Sequence, residues 1–210
     1  FAPVDLDNLY RALGPFGDDN RHVIIFRKLL ENENYRHYFI NRYCDLMNTT
    51  FHPERSLEAL YDAVTHIEPS GSRHFERLNG TMNDWHTEIG IVHYHITERP
   101  QYARQHVQQF FELEEQTDLH LSVYPPSAGK IELNSLSLKD FPFDGVYFHD
   151  VPIALDASAN AGFTFSHWET NRPELSASDQ RLDFLPSKGD SLTAVFIGNS
   201  TFNPFQIHPN

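Results

Sequence analysis

The sequence predicts an α+β protein. An all-helical bundle occupies residues 1–116, a small antiparallel all-β module follows over 117–198, and 199–210 has linker composition. Three observations carry this division. Before Glu114, apolar residues recur at the three- and four-residue spacing of a helix, as Tyr35, Phe39, Tyr43 and Leu46 do. After Glu115 the period falls to two, first at Leu119, Leu121 and Val123. Turn clusters such as Pro125-Pro126-Ser127-Ala128-Gly129 then divide the chain at the intervals of short strands.

In chain order, Phe1 to Asn20 holds Pro3, Gly14-Pro15 and Gly17-Asp18-Asp19-Asn20, and reads as loop with a turn of helix at Leu9 to Leu13. His22 to Leu30 is a short helix closed by the positive pair Arg27-Lys28. Glu31-Asn32-Glu33-Asn34 offers cap residues for the helix on which the first part is organised. There Ile40, Cys44 and Met47 widen the stripe of Tyr35, Phe39, Tyr43 and Leu46, so that helix must be gripped on more than one side. Pro53 opens the next helix, where its missing N–H is harmless, and Leu57, Leu60, Tyr61, Val64 and Ile67 form its apolar face. Pro69-Ser70-Gly71 is expected to end it, with a short helix from Ser72 to Leu78 stopped by Asn79-Gly80. Thr81 to Asp84 fits a capping box before Trp85, Ile89, Val92 and Ile96. Arg99-Pro100 is expected to start a last helix facing inward at Ala103, Val107, Phe110 and Phe111.

The second part continues the alternation at Ile131, Leu133, Leu136 and Leu138. Strands follow at Val151–Leu155, Phe163–Trp168, Leu182–Leu185 and Leu192–Phe196. Phe163 and Phe165 fall on one face of their strand and Trp168 on the other, near the strand end.

Forty per cent hydrophobic and 13% aromatic residues put the 210-residue chain among folded proteins with real cores. A formal charge of −13 without a basic stripe argues against nucleic acid. No apolar run approaches the roughly 20 residues of a membrane span. The single cysteine, Cys44, forms no internal disulfide and reads as a buried small hydrophobe. A first residue other than Met and the absence of a targeting run read as a piece of a longer protein, or a processed one. Thirteen histidines raise the question of a metal. His93 and His95 point apart on a helix, His86 and His93 are seven residues apart, and no His-Glu-x-x-His occurs, so scattered surface histidine is the reading.

Arg27-Lys28-Leu29-Leu30-Glu31-Asn32, Tyr35-Arg36, Phe39 through Phe51, Pro53-Glu54-Arg55, Ile67-Glu68-Pro69, Arg73-His74, Glu98-Arg99-Pro100 and Arg104-Gln105-His106 form an ordered string of short motifs. Together they resemble the C-terminal helical region of CotH-type, spore-coat-kinase-like proteins, over roughly residues 20 to 113. His52 departs from the pattern, which has a small capping residue there. The resemblance implies an atypical protein-kinase fold, in bacterial secreted or cell-surface proteins, with ATP and Mg²⁺ as cofactors of the complete kinase. The family's ATP-binding lysine and metal-binding acids lie upstream of the matched tail. The second part, through Ala161-Gly162-Phe163-Thr164-Phe165-Ser166-His167-Trp168-Glu169 and Leu192-Thr193-Ala194-Val195-Phe196, resembles divergent InlB-type bacterial surface repeat modules.

Phosphoryl transfer needs a cationic cradle for the phosphates and acidic ligands for Mg²⁺, and residues 1–20 hold no glycine-rich phosphate loop. No catalytic residue is assigned, and no cofactor is expected in this chain itself. Asp5 and Asp7, on alternate positions of Val4-Asp5-Leu6-Asp7, are the candidate metal ligands, with a solvated loop as the plainer reading. Trp168 is the candidate ligand-binding residue, a ring for stacking on a sugar, set against the reading that large rings are core. The expected function is a non-catalytic, structural and interaction role in a secreted or surface protein. The expected partners are an upstream kinase-like lobe, a surface protein or a polysaccharide. The alternatives are part of an ATP- and Mg²⁺-dependent kinase, and an adhesion module. A lobe packed on the bundle would leave an exposed apolar face when absent.

Overall fold

Asn32 begins the helix on which the first unit is built. Its side chain accepts from Tyr35 N at 3.0 Å, and α3 (Glu33–Asn48) follows. The computed structural model describes residues 2–15, 21–78, 80–175 and 178–198, without the side chains of 72, 76 and 78. The expected loop at Gly17 to Asn20, the expected stop at Asn79 and the linker at 199–210 lie outside these residues. The chain divides into two units, Phe1–Glu115 and Gln116–Asn210.

In the first unit α3 is gripped from two directions. The Phe39 ring meets Phe26 of α2 (Arg21–Leu30) at 5.0 Å and Phe111, just past α5 (Met82–Phe110), at 5.9 Å. Ile40 and Cys44 are buried with Ala103 and Val107 of α5, Leu30 of α2 and Leu13 of α1 (Asn8–Leu13). Thr81 and Asp84 complete the expected capping box at the start of α5, each bond measuring 3.1 Å.

Two expected helix ends are absent. Helix α4 (Pro53–Leu78) runs through Pro69, and α5 runs through Pro100. A proline denies an amide donor to one carbonyl, that of Thr65 or Ile96 here, while the turns on either side keep theirs. Packing between the two helices then holds them through the defect. Gly71 lies so close to the start of α5 that a β-carbon there would sit 3.0 Å from Met82 Sδ. Nearby, His86 Nε2 lies 2.8 Å from Glu68 Oε1, and the Tyr61 hydroxyl shares a 2.8 Å hydrogen bond with His93 Nδ1.

The core of this unit is small for its helices. Among the described residues α4 contributes no fully buried apolar side chain. Ile24, Ile25 and Leu29 of α2 are 46%, 59% and 43% exposed, and Ile67 and Tyr94 also face water. These exposed apolar side chains lie on α2, α4 and α5.

Among the described residues of the second unit, eight strands form two four-stranded sheets. One has the order β4 (Phe143–Phe148), β1 (Gln116–Tyr124), β8 (Asp190–Gly198), β6 (Phe163–Thr170); the other β3 (Leu136–Leu138), β2 (Gly129–Leu133), β5 (Ile153–Ala159), β7 (Arg181–Phe184). The antiparallel all-β module is present, with one parallel pair inside it: β1 and β8, Leu121 opposite Leu192. The many residues between these strands supply the crossover that a parallel pair requires. Leu119, Leu121, Ile131, Leu133, Leu155, Leu192 and Phe196 fill the interior. Gly129 leaves room there, since a β-carbon on it would collide with the Phe196 ring.

Candidate functional site

Chemistry in the first unit gathers where α3 and α5 meet the N-terminal segment. Arg99, on the middle of α5, donates from Nη1 to the carbonyls of Val4 and Leu6, both at 2.7 Å. Tyr43 of α3 and Arg99 both line two neighbouring hollows. The first, of about 380 Å³, lies among Met47, Phe51, Val92, Ile96 and Pro100. The second, of about 490 Å³, is walled by Leu9, Leu13, Val23 and Phe26, with His22 and His106 at its border.

Burial pushes the Tyr43 hydroxyl above its ordinary pKa, and the nearby positive charges of Arg99 and Arg104 pull against that rise. Burial likewise raises the Cys44 thiol to about 12, so it stays protonated and inert. Beside it, Arg104 Nη2 donates to Asn48 Oδ1 at 2.6 Å, and the Asp45 side chain is fully buried.

Asp5 and Asp7 are not brought together on a cation. Asp5 is exposed, and Asp7 accepts from Tyr10 N at 2.8 Å as the cap of α1. The charge that the alternating segment attracts is the Arg99 guanidinium, and it is held by the backbone carbonyls of Val4 and Leu6. Among the described residues no three His, Cys, Asp or Glu side chains form a group able to hold a metal. The ATP and Mg²⁺ implied by the kinase resemblance require such acids beside a cationic cradle. The described residues do not fit that pair.

Trp168 is also corrected. It is 1% exposed, and its indole N–H donates to the Asp179 carbonyl at 3.0 Å, so its ring is closed to a sugar. The cause is a bulge. Phe165 pairs with Phe196 and His167 with Val195, which leaves Ser166 as an extra residue that resets the alternation. Trp168 therefore shares the inner face with Phe165, their rings 5.8 Å apart, instead of lying opposite.

The sequence reading missed Arg99 and Tyr43 as members of one site. By sequence Tyr43 belongs to an apolar stripe, and Arg99-Pro100 is expected to start a helix. The signal was present in the spacing: Arg99 lies three residues after Ile96 and four before Ala103, on the inward stripe of an unbroken α5.

No described helix is long and apolar enough to cross a membrane. Comparison with curated proteins finds no match, and neither does comparison with solved structures. Residues 14–103, spanning α2 to α4 and most of α5, match the model of a kinase-like family described as CotH kinase protein.

Proposed function

We propose that the helical unit is a non-catalytic, kinase-like subdomain that serves as a scaffold, packing its open apolar face against a further kinase-like lobe. The β unit is read as a divergent InlB-type module on a secreted or surface bacterial protein, with a structural or interaction role. The observation that carries this reading is the uncovered stretch of Ile24, Ile25 and Leu29 on a helix inside the kinase-family match. Apolar side chains in such number on one short helix are costly to leave in water, and a covering polypeptide removes that cost.

The kinase-family match favours a second reading, in which the helical unit completes an ATP- and Mg²⁺-dependent kinase whose catalytic residues are contributed by preceding sequence. Polysaccharide recognition at Trp168 is not retained, because the ring is buried.

The test has two arms. A photo-crosslinking residue at Ile25, introduced in the cell that makes the protein, should capture a polypeptide, while one at the exposed polar position Glu58 should not. Mg-ATP should leave the thermal midpoint of the isolated 210-residue chain unchanged, since only a ligand that prefers the folded state raises it. A raised midpoint with no crosslink from Ile25 would reverse the assignment.

A further inference from the structure

The hollow between α1, α2, α3 and α5 carries more than an apolar wall. Its volume of about 490 Å³ lies inside the range of small-molecule sites, roughly 300–1,000 Å³. Arg99, His22 and His106 line it alongside Leu9, Leu13, Val23 and Phe26. Arg99 is only partly engaged. Both of its hydrogen bonds leave from Nη1, and its Nε and Nη2 donate to no described residue. Those two nitrogens form the edge of a guanidinium that presents parallel N–H groups to the two oxygens of a carboxylate.

Arg99 also lacks a carboxylate partner among the described residues. Elsewhere Arg172 pairs with Glu174 and Asp190, and Arg181 with Asp183. Asp7, the acid nearest along the segment it grips, is engaged as the cap of α1. His22 and His106 make no hydrogen bond or ion pair among the described residues, which leaves their ring nitrogens for an occupant.

We propose that this cavity binds an amphipathic carboxylate. The head group pairs with the Nε and Nη2 edge of Arg99, with His22 and His106 adding donors. The apolar body lies along Leu9, Leu13, Val23 and Phe26. The site is independent of whether the helical unit scaffolds a kinase.

The experiment titrates decanoate, and separately decanol, into the full chain, followed by calorimetry and by amide resonances. Decanoate should shift the amides of Leu9, Val23 and His106 and bind about tenfold or more tightly than decanol, the margin of a charge-assisted pair. Arg99→Met should bring decanoate down to the level of decanol. Ala12→Phe, which adds a ring to the cavity wall, should abolish binding of both. If Arg99→Met does not fold, the decanol comparison and Ala12→Phe decide the matter. Equal affinity for the two probes, no binding of decanoate, or binding that survives Ala12→Phe would each overturn the proposal.

Discussion

Asp190 is 2% exposed and would be an expensive charge to bury alone. It accepts from Ser187 N at 2.7 Å and from Arg172 Nη1 at 3.2 Å, while Arg172 also donates to the Leu185 carbonyl and lies over the Phe184 ring. One arginine thereby pins the chain on both sides of β7. Asp190→Ala leaves Arg172 its bonds to Glu174 and the Leu185 carbonyl but takes the acceptor from the Ser187 N–H, and should lower the stability of the β unit by about 1–3 kcal/mol, read from urea unfolding followed by tryptophan fluorescence. Cys44 gives a second residue-scale prediction. Its thiol should resist alkylation in the folded chain at mildly alkaline pH and react fully once unfolded. Its folded pKa of about 12 lies above the ordinary 9.0, so its contribution is intact below pH 9 and is lost as pH rises toward 12. Cys44→Ala should flatten the alkaline fall in unfolding midpoint. The burial of Cys44 was legible, because it sits in a stripe with Ile40 at helical spacing. The role of Arg99 was not, because a polar residue on an inward stripe reads locally as the stripe's end.

At the scale of the element, most helices and strands were written locally, in caps and in periods. Asn32, the Thr81 and Asp84 box, and the alternation of β1 each act within a few residues. The errors arose where distant packing overruled a local preference. Pro69 looks like a stop, and only the approach of α5 to Gly71 explains why α4 continues. Pro69→Ala should restore a donor for the Thr65 carbonyl and raise the stability of the helical unit by about 1–3 kcal/mol, measured by thermal unfolding in far-UV circular dichroism. A helix that truly ended there would show no gain. The bulge at Ser166 was equally hidden, since alternation cannot announce the one residue that breaks it. Deleting Ser166 removes the bulge and leaves Phe165 and Trp168 as alternate residues of a regular strand, so Trp168 should stay buried, seen as an unshifted tryptophan emission maximum.

For the molecule as a whole, the division into units falls where the hydrophobic period changes. The parallel pairing of β1 with β8 was out of reach, since the partners lie at opposite ends of the module and no local signal joins them. The formal charge of −13 opposes compaction through self-repulsion, so added salt should raise the unfolding midpoint by a few degrees between low and moderate ionic strength. A thermal scan across a salt series checks this. The grip of Arg99 on Val4 and Leu6 spans 95 and 93 residues of chain, and it ties the two ends of the helical unit to each other. A chain nicked at Gly80 would thus yield two fragments that still clasp at this hook. Their reassembly from separate polypeptides would depend on an arginine carried by one and bare carbonyls carried by the other.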